Sequence, residues 1–178
     1  MSVKKELDSF FERFTNSFQE TSDGYPKTPR KKDIDQTVYV GESNAAGWCR
    51  WKPIPHGQDE AFMKFLDAYG IEKNKDIVEY FSSYHFLDLD IGYKKKVIAI
   101  RAVDPRDEYR NLKRVIGSYT YPDGKIPYLP LGLDQKTGLN VVVEVKTGII
   151  KIVNYESGKM RKIAPSLKEF IREWEPLI

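Results

Sequence analysis

Apolar residues recur along this chain with two different periods, and the places where the period changes mark where helix gives way to strand. Leu7, Phe10, Phe11, Phe14 and Phe18 stand at helical spacing with Lys, Glu, Asp and Arg between them, which predicts an amphipathic helix from Val3 to about Glu20 burying an aromatic stripe. Asp59 to Tyr69, with Phe62, Phe65 and Leu66, predicts a second helix closed by Gly70. Lys75 to His85 predicts a third, with Ile77, Phe81 and Tyr84 on one face and Tyr80 beside them. At Phe86 the period falls to two. Leu87, Leu89 and Ile91 then point inward and Asp88 and Asp90 outward on a strand, and Val97 to Val103 returns as its hairpin partner after Lys94-Lys95-Lys96. Asp104-Pro105 has the form of an N-cap followed by a first-turn proline, opening a helix that turns Tyr109, Leu112, Val115, Ile116 and Tyr119 to the sheet.

The last third, Tyr128 to Ile178, carries the densest strand signal. Leu139 to Val145 is almost wholly apolar and β-branched, Lys146-Thr147-Gly148 makes a turn, and Ile149 to Tyr155 runs back. Glu156-Ser157-Gly158 turns again into a strand from Met160 to Ala164. Ser166-Leu167-Lys168-Glu169 then has the spacing of a capping box, opening a helix whose Leu167, Phe170, Ile171, Trp174 and Leu177 share one face. Pro127 and Pro130 bracket the entry to these strands and predict a short or edge strand there.

Earlier punctuation is plainer. Thr21 to Asp35, broken by Gly24, Pro26 and Pro29 and carrying the basic run Pro29-Arg30-Lys31-Lys32, reads as a loop, and Thr37 to Val40 as a short strand. Trp48-Cys49-Arg50-Trp51-Lys52-Pro53 reads as an extended segment with both Trp on one side and Cys49 on the other. The order of elements describes an α+β fold: a single domain over residues 1–178, built on a largely antiparallel sheet flanked by helices.

At 178 residues and 40% hydrophobic content the chain can bury one sizeable core. Its net charge of +3 is too small to mark a dedicated nucleic-acid binder. The distribution says more than the total. Gln58 to Tyr93 holds eight acidic and three basic residues, and Lys94 to Lys125 four acidic and nine basic, so an acidic segment is followed by a basic one. A lone Cys49 and two scattered His, His56 and His85, offer neither a disulfide framework nor zinc-ligand spacing. A reducing compartment fits, and the charged N-terminus with no long apolar run predicts a soluble, cytoplasmic protein without a membrane-spanning segment.

No glycine-rich phosphate loop, nucleophile elbow or zinc helix is present. The chain is therefore not expected to be an enzyme, and no cofactor or metal is expected. The residues alone take function no further: Trp48 and Trp51 suit a core or edge-strand role or an aromatic anchor, and Asp88 and Asp90 a solvated strand face or an acidic partner-binding surface. The acidic pair also has the spacing to approach a divalent cation, but no neighbouring ligand completes such a site.

Several short stretches, in the same order as they occur here, resemble the Syd-type branch of the SUKH superfamily. They are the Phe-rich first helix, Trp48 to Pro53, Ile77 to Tyr84, Ile116-Gly117, Leu129-Pro130-Leu131-Gly132, the hairpin from Thr137-Gly138 to Thr147-Gly148, Ile163 to Phe170, and Pro176-Leu177-Ile178. The resemblance implies a bacterial, non-enzymatic protein binder, for which the candidate contact residues are Trp48, Trp51, Tyr80, Tyr84, Asp88 and Asp90, with Glu79 alongside. Syd is a cytoplasmic protein that associates with the translocon subunit SecY through an acidic groove facing basic loops, and many other superfamily members are immunity proteins that neutralise a cognate toxin. This chain departs from the Syd pattern in being slightly basic. That departure favours an immunity protein occluding a toxin domain, with SecY binding at the inner face of the membrane as the second reading. An outside reading is nucleic-acid contact through Lys94 to Lys96 with Arg110, Lys113 and Arg114.

Overall fold

The Phe-rich repeat folds as its spacing dictates. Ser2 caps α1 (Val3–Gln19) by accepting a hydrogen bond from the Lys5 amide, and Leu7, Phe10, Phe11 and Phe14 are buried. The protein is described by a computed structural model over residues 2–21 and 24–178. After α1, three short strands, β1 (Lys27–Pro29), β2 (Tyr39–Val40) and β3 (Trp48–Trp51), form a small sheet in the order β1-β3-β2. Next come β4 (Ile54–Pro55), α2 (Glu60–Ala68), α3 (Lys75–Ser83) and β5 (Tyr84–His85), with β4 and β5 paired.

The main sheet takes most of the remaining chain: β6 (Leu89–Tyr93), β7 (Lys96–Ile100), β8 (Tyr128–Asp134), β9 (Asn140–Glu144), β10 (Ile150–Val153), β11 (Met160–Ala164) and β12 (Trp174–Pro176). Its order is β11-β10-β9-β8-β7-β6-β12, antiparallel throughout. Between β7 and β8 lies α4 (Arg106–Val115), and between β11 and β12 lies α5 (Leu167–Arg172). Directly opposed residues on neighbouring antiparallel strands share a face. The rows Leu89–Ile100 and Ile91–Ile98 therefore point one way, inward, where α1, α3 and α5 cover them in one apolar cluster. Phe170 of α5 stands 4.8 Å from the Tyr93 ring, and the buried Glu6 carboxylate of α1 accepts two hydrogen bonds from Arg172, tying α1 to α5.

Several expectations need correction. The strand bracketed by Pro127 and Pro130 is neither short nor at an edge: β8 has seven residues and is the fourth strand of seven. Pro130, which has no amide to give to the ladder, is accommodated because the β8–β9 register shifts between Pro130 and Gly132. Trp48 and Trp51 lie on opposite faces of β3, since an odd separation reverses direction in a strand; Cys49 shares the buried side with Trp51. The last helix ends at Arg172, so Trp174 packs from edge strand β12 and Leu177 is exposed. Tyr84 and His85 belong to β5, not to the preceding helix. Residues 36–38 form a 3-10 turn ahead of β2, and part of the Thr21 to Asp35 segment pairs as β1; Ser22 and Asp23 of that segment lie outside the described residues.

The helix after Asp104-Pro105 forms, with Asp104 accepting from the Arg106 amide, but it opens unusually. Asp107, Glu108 and Tyr109 take φ values of 53°, 52° and 65°, a left-handed turn made by three residues that have a Cβ. Tyr109 anchors it: its ring packs on Phe62 at 5.1 Å and its hydroxyl donates to the Phe81 carbonyl at 2.6 Å.

Candidate partner-binding surface

Of the seven residues expected to meet a partner, three are interior. Trp51 is buried against Phe14, its ring 5.8 Å away. Tyr80 is buried among Phe81, Phe86 and Trp174. Tyr84 packs its ring 4.7 Å from Phe11 and donates its hydroxyl to Asp8 at 2.6 Å; burial, with that bond to a carboxylate, pushes its pKa up. These three hold α1, α3 and β5 together and present no face to a partner. A hydrophobic stripe in the sequence shows which face of an element is apolar, but not whether another element covers it.

The other four remain accessible but do not converge. Trp48 is 45% exposed on the small sheet. Glu79 is half-buried on α3, in the helix layer, whereas Asp88 and Asp90 are exposed at β6 on the opposite face of the main sheet. Asp88 accepts the Ala102 amide at 2.7 Å, and Asp90 accepts from Gln135 at 2.6 Å. Both carboxylates are thus held in place with lone pairs left for a partner.

The sequence did not indicate what stands beside them. Asp90 is opposite Ala99, and Ala99 opposite Leu133, so these three share the outer sheet face; Glu175, Gly92 and Val97 form the neighbouring row. Leu133 is 42% and Val97 40% exposed, and Leu177 approaches Gly92 from β12. Further along, the same face is covered by a second small cluster of Tyr119, Tyr128, Val142 and Val153. The part at β6, β7 and β8 is uncovered: apolar side chains interspersed with Asp88, Asp90 and Glu175. Exposed apolar residues on a rigid sheet, rimmed by carboxylates, have the make-up of a protein-docking face.

At the end of the same sheet the character changes. Tyr93 on β6 donates its hydroxyl to the Ile163 carbonyl on β11 at 2.8 Å, drawing together two strands five places apart and curling the sheet. The turns after β6 and β8 and the strand β11 then surround an open cleft of about 990 Å³. Lys94, Lys95, Lys96, Lys136, Arg161 and Lys162 line it, and its single lining carboxylate, Asp134, is buried. Burial works against the Asp134 carboxylate, but hydrogen bonds from Lys96, Thr137 and the Lys136 amide outweigh it and hold its pKa below the usual range. Gln135 lines this cleft and also bonds Asp90, so the acidic face and the basic cleft adjoin.

The acidic and basic segments of the sequence do not survive as two surfaces. Asp67 pairs with Lys73 and Glu108 with Lys64 and Lys113. Arg110 pairs with Asp107 and donates to the Asp33 carbonyl, and Arg114 pairs with Asp33. Of the residues in the nucleic-acid reading, Lys94 to Lys96 line the cleft, whereas Arg110, Lys113 and Arg114 are not part of its lining and pair with Asp107, Glu108 and Asp33. Among the described residues no three His, Cys, Asp or Glu side chains gather as a metal site, and no helix is long and apolar enough to cross a membrane.

A family model described as Syd protein (SUKH-2) matches residues 4–176. The chain therefore belongs to the Syd (SUKH-2) family, whose role is protein binding. No curated protein matches it.

Proposed function

We propose that this Syd-family chain is a non-enzymatic bacterial immunity protein, working in the cytoplasm without cofactor or metal, that neutralises a cognate toxin domain by covering its active surface. The observation that carries the reading is the uncovered outer sheet face, where Val97 and Leu133 stand beside the anchored carboxylates Asp88 and Asp90. Occlusion requires only such a complementary surface, in which a few desolvated apolar contacts supply most of the affinity and the charges set orientation and association rate. Trp48 and Glu79 are peripheral to that face and are proposed as secondary contacts.

A second reading, binding to basic loops of SecY, draws support from the same carboxylates. The lysine-lined cleft adjoining them disfavours it, because a basic loop docking at Asp90 would meet like charge within the Debye length of about 8 Å at physiological salt.

Pull-down from the native bacterium with tagged wild type and with a variant carrying Asp88→Lys, Asp90→Lys and Leu133→Asp tests both. The reading predicts a toxin C-terminal domain recovered by wild type and lost with the variant. Recovery of SecY in place of any toxin would overturn it, and a toxin retained equally by both proteins would remove the outer face from the mechanism.

A further inference from the structure

The basic cleft is not needed for the outer-face docking just proposed, and its composition is out of keeping with the rest of the surface. Many surface cations elsewhere pair with carboxylates, as at Lys4–Asp8, Arg110–Asp107, Lys151–Glu144 and Arg172–Glu6, and those that do not, such as Lys5, Lys52 and Lys146, are scattered singly, whereas at the sheet end several gather in one concave space. At the sheet end only Lys96 is so paired, with Asp134, and Lys94 lies over the Tyr93 ring. Lys95, Lys136, Arg161 and Lys162 make no ion pair among the described residues. They reach the cleft from three separate hairpin or strand positions, each fixed by the fold: the turn after β6, the turn held by Asp134, and β11 held by Tyr93. A terminal strand commonly carries a charge or two that discourages edge-to-edge pairing, which accounts for Arg161 and Lys162. It does not account for Lys95 and Lys136 converging on the same space.

We propose that this cleft binds an acidic protein segment carrying aliphatic residues, in extended form alongside β11. Four unpaired cations around one concave space supply the charge complement. The exposed Val97 and half-buried Ile163 in the lining supply aliphatic contact, and since the Ile163 carbonyl of β11 is already taken by Tyr93, the segment docks along β11 through its side chains rather than as an added strand. A nucleic acid fits less well. Single-strand sites offer aromatic faces for base stacking, whereas the one aromatic ring of this lining, Tyr93, is 2% exposed and its hydroxyl is already committed.

The test is fluorescence anisotropy with the full-length protein and three labelled probes: the octapeptide (Glu-Val)4, its counterpart (Lys-Val)4, and a twelve-nucleotide oligo-dT. The expected result is saturable, salt-sensitive binding of (Glu-Val)4 alone, weakened at least tenfold by Lys95→Glu, Lys136→Glu and Lys162→Glu together and not weakened by Asp88→Lys with Asp90→Lys. The last variant separates this cleft from the outer face, so failure of one proposal leaves the other intact. A circular-dichroism melt shows whether the triple variant is folded; if it is not, the single substitution Lys95→Glu at an exposed position replaces it, with weakened binding expected. No binding of (Glu-Val)4, or binding indifferent to these substitutions, overturns the proposal. Tighter binding of oligo-dT that the triple variant abolishes also overturns it and makes the cleft a nucleic-acid site.

Discussion

The Tyr93 hydroxyl donates to the Ile163 carbonyl at 2.8 Å, although 70 residues separate the two in sequence and four strands lie between theirs in the sheet. This one bond joins the ends of the curl that shapes the basic cleft. Tyr93→Phe keeps the ring against Phe170 and removes only the donor. The Ile163 carbonyl is then left without this partner, and the expected loss is about 1 kcal/mol in urea unfolding. The same variant should weaken (Glu-Val)4 binding more than its effect on stability suggests, because β11 loses its tether to β6.

Gly132 lies where β8 passes closest to β7. A Cβ at this position would sit 2.2 Å from the Ala99 carbonyl oxygen and 3.2 Å from the Ile100 Cα, both backbone atoms. Neither strand can yield without breaking the central ladder, so Gly132→Ala is expected to cost more than about 2 kcal/mol. Gly117, whose Cβ would meet nothing within 4 Å, is the control: Gly117→Ala should leave the urea midpoint nearly unchanged.

Much of this architecture is legible in the sequence because its causes are local. Ser166 and Glu169 announce a capping box, and Ser166 does accept the Glu169 amide; the alternation from Leu87 to Ile91 does place Asp88 and Asp90 outward. What could not be read has non-local causes. Pro130 reads as an edge signal because the bulge that accommodates it is created by β9 and Gly132. Tyr80 and Tyr84 read as interface residues because nothing near them in sequence reveals that Trp174 and Phe11 will cover them. The proposed docking face was half-visible: its carboxylates Asp88 and Asp90 are two positions apart in sequence, but Val97 and Leu133 join them only through strand pairing.

The left-handed turn at Asp107, Glu108 and Tyr109 should respond to substitution in a characteristic way. A residue with a Cβ pays about 1–2 kcal/mol in this conformation, and β-branched side chains suit it least. Asp107 is exposed and its ion pair with Arg110 is a surface one, so backbone conformation should dominate. Asp107→Gly is expected to hold or raise stability despite the greater freedom of glycine in the unfolded chain. Asp107→Val is expected to lower it by about 1 kcal/mol or more. Equal thermal melts for the two variants would show that the turn is not left-handed in solution.

His85 makes folding stability sensitive to mild acid. Its side chain is buried between Asp35, 3.2 Å from Nδ1, and Asp104, 3.8 Å from Nε2, with Arg106 on the far side of Asp104. Burial holds its pKa below the ordinary value, against the pull of the two carboxylates. The unfolded chain therefore takes up the proton first, near pH 6.5. Stability from neutral His85 is complete above that pH and is lost as pH falls from about 6.5 towards the lower folded-state pKa. Urea midpoints should decline over this interval, whereas His85→Gln should be less stable at neutral pH but flat across it. Asp8, Asp35, Asp134 and Glu144, whose pKa values are lowered, add losses in the same direction only below about pH 4.

Trp48 and Trp51 differ by three positions on one strand, and the period of two assigns them opposite fates. Trp51 is 2% exposed and fills the space beside Phe14, so Trp51→Ala should cost about 3–5 kcal/mol through lost burial and an unfilled cavity. Trp48 is largely in solvent and supports little of the fold, so Trp48→Ala should change the unfolding free energy by no more than about 0.5 kcal/mol. Its value as a recognition residue then becomes measurable without interference from folding. As a secondary contact, Trp48 should matter modestly: Trp48→Ala is expected to weaken capture by less than about tenfold while the melt stays in place. Trp51→Phe, chosen to keep the core filled, should leave capture unchanged. A partner insensitive to Trp48→Ala would confine the interface to the outer face of the main sheet, where Leu133 and Asp90 would have to carry it.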